Sequence, residues 1–210
     1  MGNSIQFFEN QFQRQVKARE FDLNPFERLA LDYVQGEVLD LGSGLGNLAI
    51  EAARRGCTVT AIDASPTAVE RIRGTVESDH LEIEAIEADL STFSIEHDYD
   101  TIVCIGLLMF FAQSRALALL REIQDHVRPG GRAIVNVLIE GTTFMGMFTP
   151  GSYYLFGREE LAERFSGWEM EVNQLDDFPA PGGTLKRFAT VIARRALGVP
   201  GTGDLMSRGR

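Results

Sequence analysis

The ten residues Val38-Leu39-Asp40-Leu41-Gly42-Ser43-Gly44-Leu45-Gly46-Asn47, VLDLGSGLGN, decide how this chain folds. An apolar run carrying one carboxylate gives way to glycine at every second position, Gly42, Gly44 and Gly46. A short apolar run that stops at glycine reads as a buried strand. The next segment, NLAIEAARRG, has helical spacing and closes on Gly56 as a C-cap. The unit is therefore strand, glycine turn, helix. Such turns commonly cradle phosphates, yet Asp40 stands two residues before the first glycine, where it would repel a diphosphate.

Strand and helix alternate on the C-terminal side of that unit. CTVTAIDAS is a second strand, and Ser65-Pro66 restarts a helix running to about Glu77. LEIEAIEADL and the nearly continuous apolar run YDTIVCIGLL are a third and a fourth strand. SRALALLREIQDHV is an amphipathic helix, and Pro129-Gly130-Gly131 turns the chain into a fifth strand, RAIVNVLIE. Units of this length imply a doubly wound, Rossmann-like and mostly parallel sheet with helices on both faces. Further on, WEMEVNQL and TLKRFATVIARR read as two strands joined around Pro179–Gly183. They form an antiparallel C-terminal edge hairpin, which brings the sheet to seven strands.

Upstream, residues 4–19 read as a helix with Ile5, Phe8, Phe12 and Val16 on one face. Asn24-Pro25-Phe26-Glu27 is a helix start: Asn24 is the N-cap, Pro25 opens the first turn, and Glu27 completes a capping box. The expected division is residues 1–35 as N-terminal helices, 36–196 as the main domain, and 197–210 as a disordered tail. The N-terminal helix with Phe7, Phe8 and Phe12 either closes over a ligand as a lid or packs against the sheet.

Bulk properties narrow the partners. Of 210 residues, 44% are hydrophobic and 24% charged, which is ordinary for a globular domain. The net charge of −10 argues against nucleic acid and against an anionic membrane surface. No apolar run approaches a membrane span, and MGNSIQFFENQFQRQ lacks the basic start and apolar core of a signal peptide. Cys57 and Cys104 make neither a disulfide framework nor a metal site, so a cytoplasmic location is expected.

In a doubly wound sheet the ligand sits at the carboxyl ends of the strands. The nicotinamide fingerprint is G-x-G-x-x-G, whereas Gly42, Gly44 and Gly46 are spaced G-x-G-x-G and are followed by Asn47. With Asp40 beside it, the loop suits a cation better than a pyrophosphate. S-adenosylmethionine carries an ammonium and a sulfonium and no phosphate. Asp40, Gly42, Ser43, Gly44, Gly46 and Asn47 would take its amino-acid part. Asp63, which ends the second strand 21 positions after Gly42, would accept the ribose hydroxyls together with its neighbour Ala64. Asp89 and Leu90, at the end of the third strand, would meet the adenine. Gly106 and Leu107 would flank the methionine part. Taken singly, Asp89 is equally a turn former, and Leu107 reads first as a core residue.

These residues resemble the class I S-adenosylmethionine-dependent methyltransferases over roughly residues 36–196. DLGSGLG matches the family's acidic, glycine-rich motif, Asp63 the ribose-binding acid, and VRPGG the turn before the fifth strand. The C-terminal half is similar to the tellurite-resistance (TehB-like) methyltransferases in LLMFF (107–111), Gly167-Trp168-Glu169 and LKRFATVIARR. Members of that group can carry a His and an Arg before the last strand. Here Phe178-Pro179-Ala180 holds neither, and Arg187 is the remaining match.

His80, His97 and His126 precede the third, fourth and fifth strands and so belong to the amino edge, away from the ligand. The implied reaction is methyl transfer to a small acceptor that is already ionised or soft: a thiol, or a selenium or tellurium oxyanion. A carboxylate or hydroxyl acceptor, a non-catalytic adenosylmethionine-binding module, and a nicotinamide-dependent oxidoreductase stand as alternatives. Residues 141–157, with Phe144, Met145, Met147, Phe148, Tyr153 and Tyr154, are the expected substrate wall. Arg187 is the candidate anion holder, Glu140 the candidate base, and Tyr153 a further candidate catalytic group. The expected partner is a small-molecule acceptor, and the chain is expected to be a monomer or a homodimer.

Overall fold

A computed structural model describes residues 3–197. The expected tail at 197–210 lies outside the described residues except for Leu197. Helices α1 (Asn3–Ala18) and α2 (Pro25–Leu31) precede β1 (Glu37–Leu41). There follow α3 (Asn47–Arg54), β2 (Thr58–Asp63), α4 (Pro66–Asp79), β3 (Ile83–Glu87) and β4 (Tyr99–Ile105). After a 3-10 turn at Leu108–Phe110 come α5 (Gln113–His126), β5 (Val127–Leu138) and α6 (Glu160–Arg164). The chain ends in β6 (Glu169–Ala180) and β7 (Thr184–Arg194).

The seven strands form one sheet in the order β3-β2-β1-β4-β5-β7-β6. The first five are parallel; β7 is antiparallel to β5 and β6 closes the edge as its hairpin partner. The chain runs outward from β1 to β3 and then crosses back to β4. The switch point between β1 and β4 is where such a sheet opens a crevice.

Strand alternation sorts the core onto two faces. Leu39, Leu41, Ile102, Cys104, Val135 and Val191 pack with α5 and α6. Val38, Val103, Ile134 and Ile192, one residue out of phase with them, pack with α2, α3 and α4. Asp40 falls between Leu39 and Leu41, so its side chain takes the α2/α3 face. Those helices form where the caps allow. The Asn24 side chain accepts from the backbone N–H of Phe26 and Glu27, while the Glu27 carboxylate accepts from Asn24 N–H at 2.7 Å. Ser65 caps α4 through Ala68 N–H.

Several boundaries differ from the sequence reading. β5 does not begin after Pro129-Gly130-Gly131; it runs through them as a bulge, shifting register between Tyr99 and Thr101 of β4. The backbone there is occupied by Arg195, whose carbonyl accepts from Gly130 N–H at 2.9 Å and whose N–H donates to Gly131. β3 stops at Glu87 and β4 at Ile105, so Asp89, Gly106 and Leu107 stand in the loops beyond the strands. β5 stops at Leu138, leaving Glu140 in a turn. The last hairpin turns only at Pro181–Gly183, because Phe178, Pro179 and Ala180 are still paired with Lys186, Leu185 and Thr184. Among the described residues no helix is long and apolar enough to cross a membrane.

Candidate functional site

The loop after β1 is held down by β2. Gly42 and Ser43 N–H both donate to the Ile62 carbonyl, at 2.8 and 3.0 Å. Gly44 N–H donates to Asp63 Oδ2 at 2.8 Å, and Ser65 N–H to Asp63 Oδ1 at 2.8 Å. Asp63 therefore fixes the loop and the start of α4 at once. Gly46 caps α3 with φ of 73°. A Cβ there would lie 2.7 Å from Ile72 Cδ1 and nearer still to Cγ1, so only glycine lets α3 and α4 meet.

Above this loop opens a cavity of about 710 Å³, within the range of small-molecule sites. Gly42, Ser43, Gly44 and Asn47 line it from the loop, and Asp63 and Ala64 from the end of β2. Asp89, Leu90, Gly106 and Leu107 line it from the loops after β3 and β4. Asp40 and Gly46 do not. Asp40 is buried beneath the loop at 5% exposure, and Gly46 faces Ile72. The structure thus places Asp40 beneath the loop and off the cavity wall.

The electrostatics favour a cation. Burial pushes the Asp40 carboxyl up to about 8, reinforced by the neighbouring Glu27 and Asp63 charges. Burial also raises Asp63, against the backbone N–H bonds that favour its ionised form. Glu27 is raised by burial, with its bond from Asn24 N–H opposing. Three crowded carboxylates that resist ionisation recover their charge when a positive group arrives. Glu27, which the sequence marks only as a capping residue, lines the same cavity because α2 packs on α3 and β4.

A second observation concerns unmet hydrogen bonds. Among the described residues, the buried side-chain atoms without a partner are Ser43 Oγ, Asn47 Oδ1 and Asn136 Oδ1. All three residues line the cavity. Asn136 is held in place by its own donation from Nδ2 to Thr190 Oγ1 at 2.9 Å, so its carbonyl oxygen is the free acceptor. Buried polar groups are rarely left unpaired, and their collection around one cavity fits a polar ligand seated there.

The opposite wall is apolar. Phe144 and Met147 of the segment 141–157 line the cavity, with Met109, Phe110, Leu138 and Phe188. Phe148 lies behind them, 5.2 Å from Phe110 and 4.8 Å from Tyr153 between ring centroids. Met145 packs into the same cluster. Tyr154 turns away, donating its hydroxyl to Glu160. From α1, Phe8 and Phe12 close the open side, and the Glu9 carboxylate accepts from Ser65 Oγ and Thr67 Oγ1 at 2.5 Å each.

Glu140, Tyr153 and Arg187 are not brought to this cavity. Glu140 is exposed in its turn, its N–H donating to the Phe156 carbonyl. Tyr153 is 38% exposed on the outside of the aromatic cluster. Arg187 lies over Gly141, and its Nε donates to Asp177 across the hairpin at 3.0 Å. The basic side chains on the cavity wall are instead Lys186 and Arg14. The signal for Lys186 is the period of two in β7: Lys186 and Phe188 share a face, and Arg187 takes the other. None of His80, His97 and His126 lines the cavity. His126 pairs with Asp98 at 3.0 Å, and His97 belongs to a depression at the amino edge of the sheet.

Comparison with known proteins agrees with this geometry. A family model described as a methyltransferase domain matches residues 38–131. A probable S-adenosyl-L-methionine-dependent methyltransferase, TehB of Haemophilus influenzae (strain 10810), is 29% identical over 166 residues, covering 76% of this chain. The chain spans only 57% of that relative's length. The crystal structure of TehB from Haemophilus influenzae superposes with a TM-score of 0.72 at 22% identity, over 86% of this chain and 65% of that one. The N-methyltransferase NodS from Bradyrhizobium japonicum WM9, in complex with S-adenosyl-L-homocysteine, gives 0.66 at 17% identity, over 92% and 98%. Residues 38–131 thus match a methyltransferase domain, and the fold of the described residues is similar to that of TehB and of NodS.

Proposed function

We propose that the chain transfers the methyl group of S-adenosylmethionine to a small acceptor that arrives already anionic or soft, such as a thiolate or a selenium or tellurium oxyanion. The observation that carries this reading is the cavity's division into an acidic, hydrogen-bond-hungry side and an apolar side, with no described histidine on its wall. The likeness to TehB supports it.

S-adenosylmethionine supplies a methyl carbon activated by a sulfonium. The protein's part is to align, to exclude water and to compensate charge. Asp63 would accept the ribose hydroxyls with the lone pairs its backbone donors leave free. Asp89 and Leu90 would border the adenine, and Gly106 and Leu107 the methionine chain. The loop residues Ser43, Gly44 and Asn47 would hold the amino-acid end. Glu27, with Asp40 below, would balance its ammonium. Phe8, Phe12 and Phe110 would keep water from the reacting atoms. An acceptor that needs no deprotonation needs no positioned base.

Incubating the purified protein with S-adenosylmethionine and a panel of thiols, selenite and tellurite tests the proposal through release of S-adenosylhomocysteine. Release that depends on one of these acceptors is expected. Binding of S-adenosylmethionine with no release for any of them would remove these acceptors and leave a carboxylate or hydroxyl acceptor or a non-catalytic binding module.

A further inference from the structure

We infer that the acceptor has a flat apolar body carrying an anionic group, and that Lys186 is the residue that binds that group. The inference rests on the methyltransferase reading and names the acceptor class for the same cavity.

β7 runs antiparallel to β5, so its first residues lie at the carboxyl edge of the sheet, where Leu138 pairs with Phe188. The strand's alternation aims Lys186 and Phe188 at the cavity together. The Lys186 ammonium lies 4.7 Å from the centroid of the Phe144 ring, another cavity-lining side chain. Among the described residues no carboxylate pairs with it, and burial alone is what lowers its pKa. The other cation on the wall, Arg14, stands exposed on α1. Lys186 is thus a half-desolvated positive charge with an aromatic ring for its neighbour and no anion of the protein's own.

Its placement separates it from the acidic side. In the sheet order, β4 and β5 stand between β7 and β1, whose loop carries the Ser43 and Asn47 acceptors. Phe144, Met147, Leu138, Met109 and Phe110 line the cavity together with Lys186, and Asn136 of β5 adds a single polar side chain. The apolar side chains of such a wall offer the body of an acceptor no hydrogen bond. They stabilise a planar apolar body by burial and by edge or face contacts between rings. A carboxylate, sulfonate or phenolate on that body would find in Lys186 a partner that costs little further desolvation. The ammonium then fixes which end of the acceptor faces the methyl donor.

Calorimetric titration with 2-naphthoate and with its neutral counterpart 2-naphthylmethanol tests this, in the absence and presence of S-adenosylhomocysteine. The wild-type protein should bind the naphthoate about tenfold more tightly, the worth of one partly buried charged contact. Lys186→Met should abolish that preference while leaving the affinity for naphthylmethanol unchanged, which also shows that the cavity is intact. Lys186→Arg should retain it. Equal affinity for the two probes in the wild type, binding of neither, or a preference that survives Lys186→Met overturns the inference. Failure of S-adenosylhomocysteine to bind would overturn the methyltransferase reading instead, because the contrast between the two probes is read without it.

Discussion

The two sides of the cavity are built in different ways. The loop on the acidic side is local: backbone N–H groups of Gly42, Ser43, Gly44 and Ser65 donate to the Ile62 carbonyl and the Asp63 carboxylate at the end of the neighbouring strand. Its parts are fixed before any ligand arrives, and its unmet needs are single atoms such as Ser43 Oγ. The apolar side is assembled from α1, the turn after β4, the segment 141–157 and β7, held by side-chain packing. A preorganised backbone cradle suits an invariant ligand. A wall of Phe and Met side chains is adjustable, which suits it to a variable one.

Substitutions can break this contrast, and the backbone cradle should respond most. Gly46→Val would place a branched side chain at φ of 73° against Ile72. The expected loss is about 3–5 kcal/mol, a fall in melting temperature of at least ~10 °C. A melting temperature near that of the wild type would show that the α3–α4 contact does not need glycine.

Asp40 gives an effect of intermediate size that depends on pH. Its carboxyl titrates at about 8 in the folded protein against 3.8 as the ordinary value. Between those values the folded state holds a proton that the unfolded state has released. The stabilisation is therefore full below pH 3.8 and is lost as pH rises through about 8. Asp40→Asn should flatten that decline, raising the melting temperature by about 3–6 °C relative to the wild type near pH 9 and by less near pH 6. Parallel curves for the two proteins would mean that Asp40 is ionised throughout.

Ser43→Ala separates ligand binding from folding. Because Ser43 Oγ has no partner in the protein, the variant should melt within about 2 °C of the wild type. It should bind S-adenosylmethionine about 3- to 10-fold more weakly, the net worth of one hydrogen bond. A stability loss without a change in affinity would reverse that assignment. Arg187→Ala should do least. Its pair with Asp177 is partly solvated, so melting should shift by no more than ~2 °C and the rate of S-adenosylhomocysteine release by less than about twofold. A tenfold loss of rate would return Arg187 to the site.

The sheet and the glycine loop were legible because their signals sit on adjacent residues: apolar runs, the Asn24 and Ser65 caps, glycines at the turn. The seven strands and the antiparallel edge followed from them. What was not legible depends on distant elements meeting. Glu27 reads as a cap until α2 is seen packed on α3 and β4 beside the cavity. Asn136 is one polar residue in an apolar strand until Thr190 is seen to fix its amide. Lys186 and Arg187 are adjacent, and only the phase of β7 against β5 decides which one faces the cavity. Pro129-Gly130-Gly131 spells a turn, yet pairing with Arg195 keeps it within β5.

The central claim is that the loop after β1 and Asp63 together hold S-adenosylmethionine. Calorimetric titration of the wild type and of Asp63→Ala with S-adenosylmethionine, and with NADH alongside, tests it most directly. The account predicts saturable binding of S-adenosylmethionine by the wild type, weakened about thirtyfold or more in the variant, and no binding of NADH. NADH bound in its place, or an affinity that Asp63→Ala leaves unchanged, would contradict it.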